Sequence, residues 1–166
     1  MILSSIIALQ AAVLVPVPEP VGSEISATAT SSDIGGTAAI FDDNPETLYR
    51  TANINPAVIT IRFKLPRESK GFRLIFLDRN EYSIEAGDSE RDLDLNSGSR
   101  KEIARGVTGD DGRAEVRLVQ PVKASVYRLT VKRVKGDAYV HIYDWQFVRW
   151  AAATSLRTEM TPARPE

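Results

Sequence analysis

The chain has 166 residues, room for one domain of ordinary size plus tails, and its 43% hydrophobic content is enough to build a core. Lys and Arg number 21 against 22 Asp and Glu, interleaved throughout, so the net charge of -1 offers no basic stripe to read nucleic acid or hold an anionic membrane. There is no cysteine, which excludes disulfides, zinc-thiolate sites and a cysteine nucleophile together; export stays open, with a bacterial source favoured over a eukaryotic one.

The first segment, Met1 to Val17, is apolar and carries no charged side chain. It is too short for a stable membrane span, which needs about 20 residues, and Pro16, Pro18 and Pro20 stop a helix from continuing. Residues 1–20 therefore read as a signal peptide or as an apolar N-terminal arm. The small residues Ala8, Ala11 and Ala12 favour the first; the lack of a preceding Lys or Arg favours the second. The expected location is secreted or cell-envelope.

From Ile25 the hydrophobic period becomes two. Ile59, Ile61, Phe63 and Leu65 alternate with Val58, Thr60, Arg62 and Lys64, which predicts a strand with one buried face, closed by Pro66 and a polar turn from Arg67 to Lys70. The same alternation places strands around Phe72–Phe76, Tyr82–Ala86, Val116–Leu118 and Tyr127–Val131, and a last one from about Ala138 to Val148. Gly87 to Gly106 is polar and reads as a long loop with a short strand at Glu102–Ala104. Gly109-Asp110-Asp111-Gly112 reads as a tight turn. Many short strands split by polar turns predict an all-β, antiparallel jelly-roll β-sandwich of about eight strands over residues 21–150, followed by a polar C-terminal tail at 151–166.

The segment richest in chemistry is Phe41-Asp42-Asp43-Asn44-Pro45-Glu46-Thr47-Leu48-Tyr49. Carboxylates, an amide oxygen and a hydroxyl at this density suit calcium, a hard cation that takes six to eight oxygens. The same residues also make a turn by bonding their own backbone, with no metal. Asp144 stands in a strand of aromatics, where a buried carboxylate calls for a cation or for donors.

These residues carry a resemblance to the F5/8 type C (discoidin-like, galactose-binding-like) family, which includes the family 32 carbohydrate-binding modules. The family's A-F-D-G-N-P-x-T-x-W is matched by Ala39-Ile40-Phe41-Asp42-Asp43-Asn44-Pro45-Glu46-Thr47-Leu48-Tyr49. Its opening strand of small residues resembles Ile25 to Ser32, its Y-x-I-x-x-S segment resembles Tyr82 to Gly87, and its R-Y-x-R-L strand resembles Val126 to Thr130. Its closing A-E-I-E-F resembles Tyr143 to Phe147. The resemblance implies the jelly-roll fold and a structural calcium ion held by the carbonyl of Phe41 and by Asp42, Asn44, Thr47 and Asp144. Three positions depart from the pattern: Asp43 replaces a glycine, Tyr49 a tryptophan, and Asp144 a glutamate.

A ligand site is expected in the loops at one end of the sandwich, where Arg50, Asn53, Asn55, Arg79 and Asn80 supply hydrogen-bonding groups. These loops contain no Trp or Phe; Trp145 and Trp150 read as core or edge packing. The single histidine, His141, reads as a strand-face residue. With no Cys, no second His, no G-x-S-x-G elbow and no phosphate loop, the chain reads as a non-enzyme. The expected function is a non-catalytic binding module of an exported protein that recognises carbohydrate or a cell-surface component; the alternative is a structural or adhesive domain contacting protein or cell-envelope components.

Overall fold

The computed structural model describes residues 14–21, 25–94, 97–98, 101–135 and 139–152. The described residues form nine strands: β1 Leu14–Glu19, β2 Ile25–Ala29, β3 Ser32–Ile34, β4 Tyr49–Thr51, β5 Ala57–Phe76, β6 Asn80–Gly87, β7 Lys101–Val107, β8 Arg113–Arg133 and β9 His141–Ala152. Every pairing is antiparallel. Two 3-10 turns, Thr37–Ile40 and Glu90–Leu93, complete the regular structure.

The architecture follows from the two long strands. β5 and β8 run together as a ribbon of two halves, with Ala57 opposite Val131 at one extremity and Ile75 opposite Arg113 at the other. The ribbon bends at two register shifts, Arg62/Arg67 and Ser69/Gly71. Its first half joins β2, β6 and β7 in one layer; its second half joins β9, with β1 and β4 on the far edge of β9, in the other. Period-two alternation then aims Ile59, Ile61, Leu129, Val131 and Ile84 from one layer at Phe72, Leu74, Trp145 and Phe147 of the other, all 0% exposed. Ring contacts cross between the layers, from Phe63 to Phe147 at 5.4 Å and from Tyr127 to Phe147 at 5.1 Å.

Four boundaries differ from the sequence reading. Pro66 does not end a strand: it sits in the first register shift, where the ladder asks nothing of its missing N–H. Leu65, beside it, is 74% exposed rather than buried, because the bulge breaks the alternation. The expected loop from Gly87 to Gly106 gives way at Lys101 to a seven-residue strand, β7, that runs to Val107. The last strand starts at His141 and extends through Ala152, past the expected edge of the tail. Of the N-terminal segment, Leu14–Glu19 pairs with β9 from Phe147 to Ala152, while residues 1–13 lie outside the described residues, as does the rest of the C-terminal tail. Among the described residues no helix is long and apolar enough to cross a membrane.

Candidate functional site

The acidic turn lies against β9. Phe41 packs its ring 5.6 Å from that of Trp145, and Ile40, wholly buried, anchors the preceding 3-10 turn. The loop after it closes on itself: Asn44 N donates to Asp42 Oδ1 at 3.0 Å, Glu46 N donates to Asn44 Oδ1 at 3.0 Å, and Thr47 Oγ1 donates within 2.9–3.0 Å of both Asp42 oxygens. These are Asx-turn bonds, the metal-free way to build the turn. Asp43 holds φ at 57°, the left-handed conformation natural to the glycine it replaces.

Asp144 tells a different story. Its side chain is wholly buried; Oδ2 accepts from Gln146 Nε2 at 2.8 Å, but Oδ1 is buried without a hydrogen-bond partner. Gln146 Nε2 also reaches Asp43 Oδ1, so one amide bridges the turn and the strand. Burial pushes the Asp144 carboxyl up to about 6, and the carboxylates of Asp43 and Asp42 push the same way. A buried carboxylate oxygen without a donor is satisfied by a proton or by a cation. The turn that carries Phe41, Asp42, Asn44 and Thr47 thus packs against the strand that carries Asp144, with the Asp42 and Asp43 carboxylates acting on it, and these residues offer hard oxygen donors of the kind calcium takes. Among the described residues no group of three or more His, Cys, Asp or Glu side chains could hold a metal, so such a site would depend on carbonyl, amide and hydroxyl oxygens as well.

The ligand residues expected from sequence gather at one end of the sandwich, because the turns 52–56, 77–79 and 108–112 and the end of β8 all meet there. Arg133 is the joint. Its guanidinium bonds Asp78 Oδ2 at 2.5 Å and its main chain exchanges two hydrogen bonds with the side chain of Asn55. Asn55 therefore works as a loop brace. Asn80 is 1% exposed and points inward, its amide donating to the carbonyl of Asp78 at 2.6 Å, so it supports the loop from beneath. Arg50 is held by Asp33 through two bonds of 2.7 and 2.9 Å and lies 4.8 Å over the ring of Tyr139. Asn53 turns the chain with φ at 54°. Arg79 is the most available of the five: 61% exposed in its side chain, with Asp110 at 3.9 Å.

Sequence reasoning missed several residues of this end. Tyr139 supplies an aromatic there; alternation had placed it inside the last strand. Arg133 and Asp78, which join these loops, are not among the residues expected from the sequence. Ile54, Leu77, Val107 and Val134 expose aliphatic side chains from four different turns or strand ends. Gly136 and Asp137, between Arg133 and Tyr139, lie outside the described residues.

Comparison with known proteins locates this fold. No protein-family model matches the chain, and no curated protein matches it. Among solved structures it is similar to the family 32 carbohydrate-binding module of NanJ from C. perfringens, determined in complex with galactose. The TM-score is 0.62 at 17% identity, over 82% of this chain and 100% of that one. It is similar also to a pectin-binding carbohydrate-binding module, with TM-score 0.62 and 15% identity over 82% and 95% of the two chains. A third is the family 32 module of AlyQ in complex with 4,5-unsaturated mannuronic acid, with TM-score 0.57 and 18% identity over 74% and 92%. The chain has the discoidin-like jelly-roll fold of these modules.

Proposed function

We propose that the chain is a non-catalytic carbohydrate-binding module that recognises a saccharide at the loop end of the sandwich. The observation that carries this is the loop end itself. An exposed arginine, Arg79, stands beside a rigid frame made by Arg133, Asp78 and Asn55, with Arg50 on Tyr139 nearby, on a fold whose solved examples include modules bound to sugars. Rigid framing reduces the ordering cost of binding. Export of the domain is part of the proposal and rests on the apolar opening segment.

A structural calcium ion is proposed in addition, held by the carbonyl of Phe41 and by Asp42, Asn44, Thr47 and Asp144. When bound it would supply positive charge. Asp144 would hold it from β9, and the residues of the turn would hold it from the other side.

The direct test is a glycan array with the full chain, followed by the Arg79→Ala variant. Binding to at least one saccharide is expected, weakened about tenfold or more in the variant, in line with the loss of a charged hydrogen bond. A wholly blank array removes the proposal. One observation favours a second reading: the exposed Ile54, Leu77, Val107 and Val134 suit an adhesive surface contacting protein or an envelope component. Attachment to envelope fractions, lost in Leu77→Glu with the array blank, would establish that reading instead.

A further inference from the structure

A groove of about 540 Å³ lies on the outer face of the layer containing β6, β7 and β8, and no expectation from the sequence reached it. Its position follows from register. Ile84 and Ala86 of β6 point into the core, so Glu81 and Ser83 point out. Ser83 is paired with Arg105 on β7 and with Thr130 on β8; Glu81 is paired with Val107 and with Lys132. Directly opposed residues share a face, so these six side chains form two transverse rows, Thr130–Ser83–Arg105 and Lys132–Glu81–Val107. With rows about 7 Å apart and the outer strands about 10 Å apart, the patch spans an open trough rather than a pit. The groove volume falls in the range of small-ligand sites.

The lining states what the trough would hold. Its floor is short and hydroxylated, Ser83 and Thr130. Its rim is charged but balanced: Lys132 lies 3.7 Å from Glu81, and Arg105 makes bonds of 2.6–3.1 Å to Glu102. Val107, 47% exposed, gives one apolar contact. Such a surface matches an uncharged ligand with many hydroxyls and an apolar edge; an anion would meet Glu81, and a cation Lys132 and Arg105. The trough is also continuous with the loop end. Asn80 and Thr108, which follow Arg79 and Val107 in the chain, are tied by bonds of 2.9 and 3.0 Å, and Lys132 precedes the joint residue Arg133.

We infer that this trough is the continuation of the saccharide site, so that the module binds an internal stretch of a neutral oligosaccharide chain rather than a terminal sugar alone; this rests on the loop-end reading above. The charged residues along β7, Lys101, Glu102 and Arg105, guard its free edge against an added peptide strand, which disfavours a peptide as the occupant.

The test uses the full chain and four sugar series, galactose, glucose, N-acetylgalactosamine and galacturonate, each as monomer and as tetramer. In a neutral series that binds, the tetramer is expected to bind about tenfold tighter or more than the monomer. In Ser83→Arg, which fills the floor, that gain is expected to vanish while the monomer keeps its affinity. Amide NMR on the unaltered chain gives a reading independent of any variant: Ser83, Gly106, Val107 and Thr130 should shift with the tetramer and not with the monomer. Binding of a monomer with no gain for its tetramer, or a gain confined to galacturonate, overturns the trough and leaves the loop-end proposal standing. No binding in any series, with the glycan array blank as well, overturns both.

Discussion

At the scale of single residues, the buried carboxylate of Asp144 decides most. An ordinary Asp titrates near 3.9, whereas this one is pushed to about 6 by burial, reinforced by Asp43 and Asp42. The folded state therefore holds its proton more tightly than the unfolded chain does. The stability this contributes is complete below about pH 4 and is lost as pH rises through about 6. Two units correspond to about 3 kcal/mol as an upper bound. Without calcium, thermal melts of the unaltered chain should fall from pH 4 to pH 7 more steeply than those of Asp144→Asn. The variant should be the more stable of the two at pH 7. Calcium should reverse the comparison, raising the melting temperature of the unaltered chain at pH 7 and leaving the variant unchanged, since a ligand of the native state stabilises in proportion to its binding. An Asp144→Asn variant that is less stable at pH 7 in a chelator would refute the account of the buried charge; equal calcium shifts in both would refute the metal.

At the scale of elements, the bend in the β5–β8 ribbon makes a sandwich out of a ladder. Tyr127 holds it from within. Its ring is wholly buried, edge-on to Phe63 and Phe147, and its hydroxyl lies 2.7 Å from the carbonyl of Arg67 and 2.9 Å from that of Val122, one on each strand of the bend. Burial pushes the phenol up to about 12, so it stays a donor across the working range. Tyr127→Phe keeps the ring and removes the one O–H that the two carbonyls share, and a cost of about 1–3 kcal/mol is expected in urea unfolding; an unchanged midpoint would mean the bend is held by packing alone. The same bend shows where the sequence stopped being legible. Alternation in Ile59–Ile61, Phe72–Phe76, Tyr82–Ala86 and Tyr127–Val131 revealed the buried faces, because period two is a local property. The passage of one strand between two layers is not local: Pro66 and the exposed Leu65 looked like an ending when they mark a bulge. The acidic turn was legible for a similar reason, being built from neighbours in the chain. The loop end was not, because Arg133, Asp78, Asn55 and Tyr139 meet only after the ribbon has bent.

At the scale of the whole molecule, the proposed site divides rigidity and recognition between different arginines at the same end. Arg133 is 13% exposed in its side chain and ties the end of β8 to Asp78 in one turn, to Asn55 in another and to the carbonyl of Tyr139 before β9. Removing its guanidinium takes the charged donor away from Asp78 Oδ2 and frees the links to Asp78 and to the Tyr139 carbonyl, while the main-chain bonds to Asn55 remain. Charged hydrogen bonds of this kind contribute about 1.5–3 kcal/mol each, with discounts for the partial exposure of Asp78. Arg79 is mostly exposed, and its contact with Asp110, at 3.9 Å and 94% exposed, is a surface pair worth at most about 1 kcal/mol. The two variants should therefore separate the roles. Arg79→Ala should leave the unfolding midpoint within about 0.5 kcal/mol of the unaltered chain and weaken saccharide binding. Arg133→Ala should lower stability by about 2–3 kcal/mol and weaken binding as well, because the loops that frame the site lose their common joint. Hydrogen exchange would distinguish a local effect from a global one: amides at Ala52, Asn53 and Thr108 should lose protection in Arg133→Ala, while those of Ile61 and Leu129 in the core should follow only the global change. Full sugar affinity in Arg133→Ala would show that the loops hold their shape without the joint, and the frame would then have to be sought in the strands beneath them.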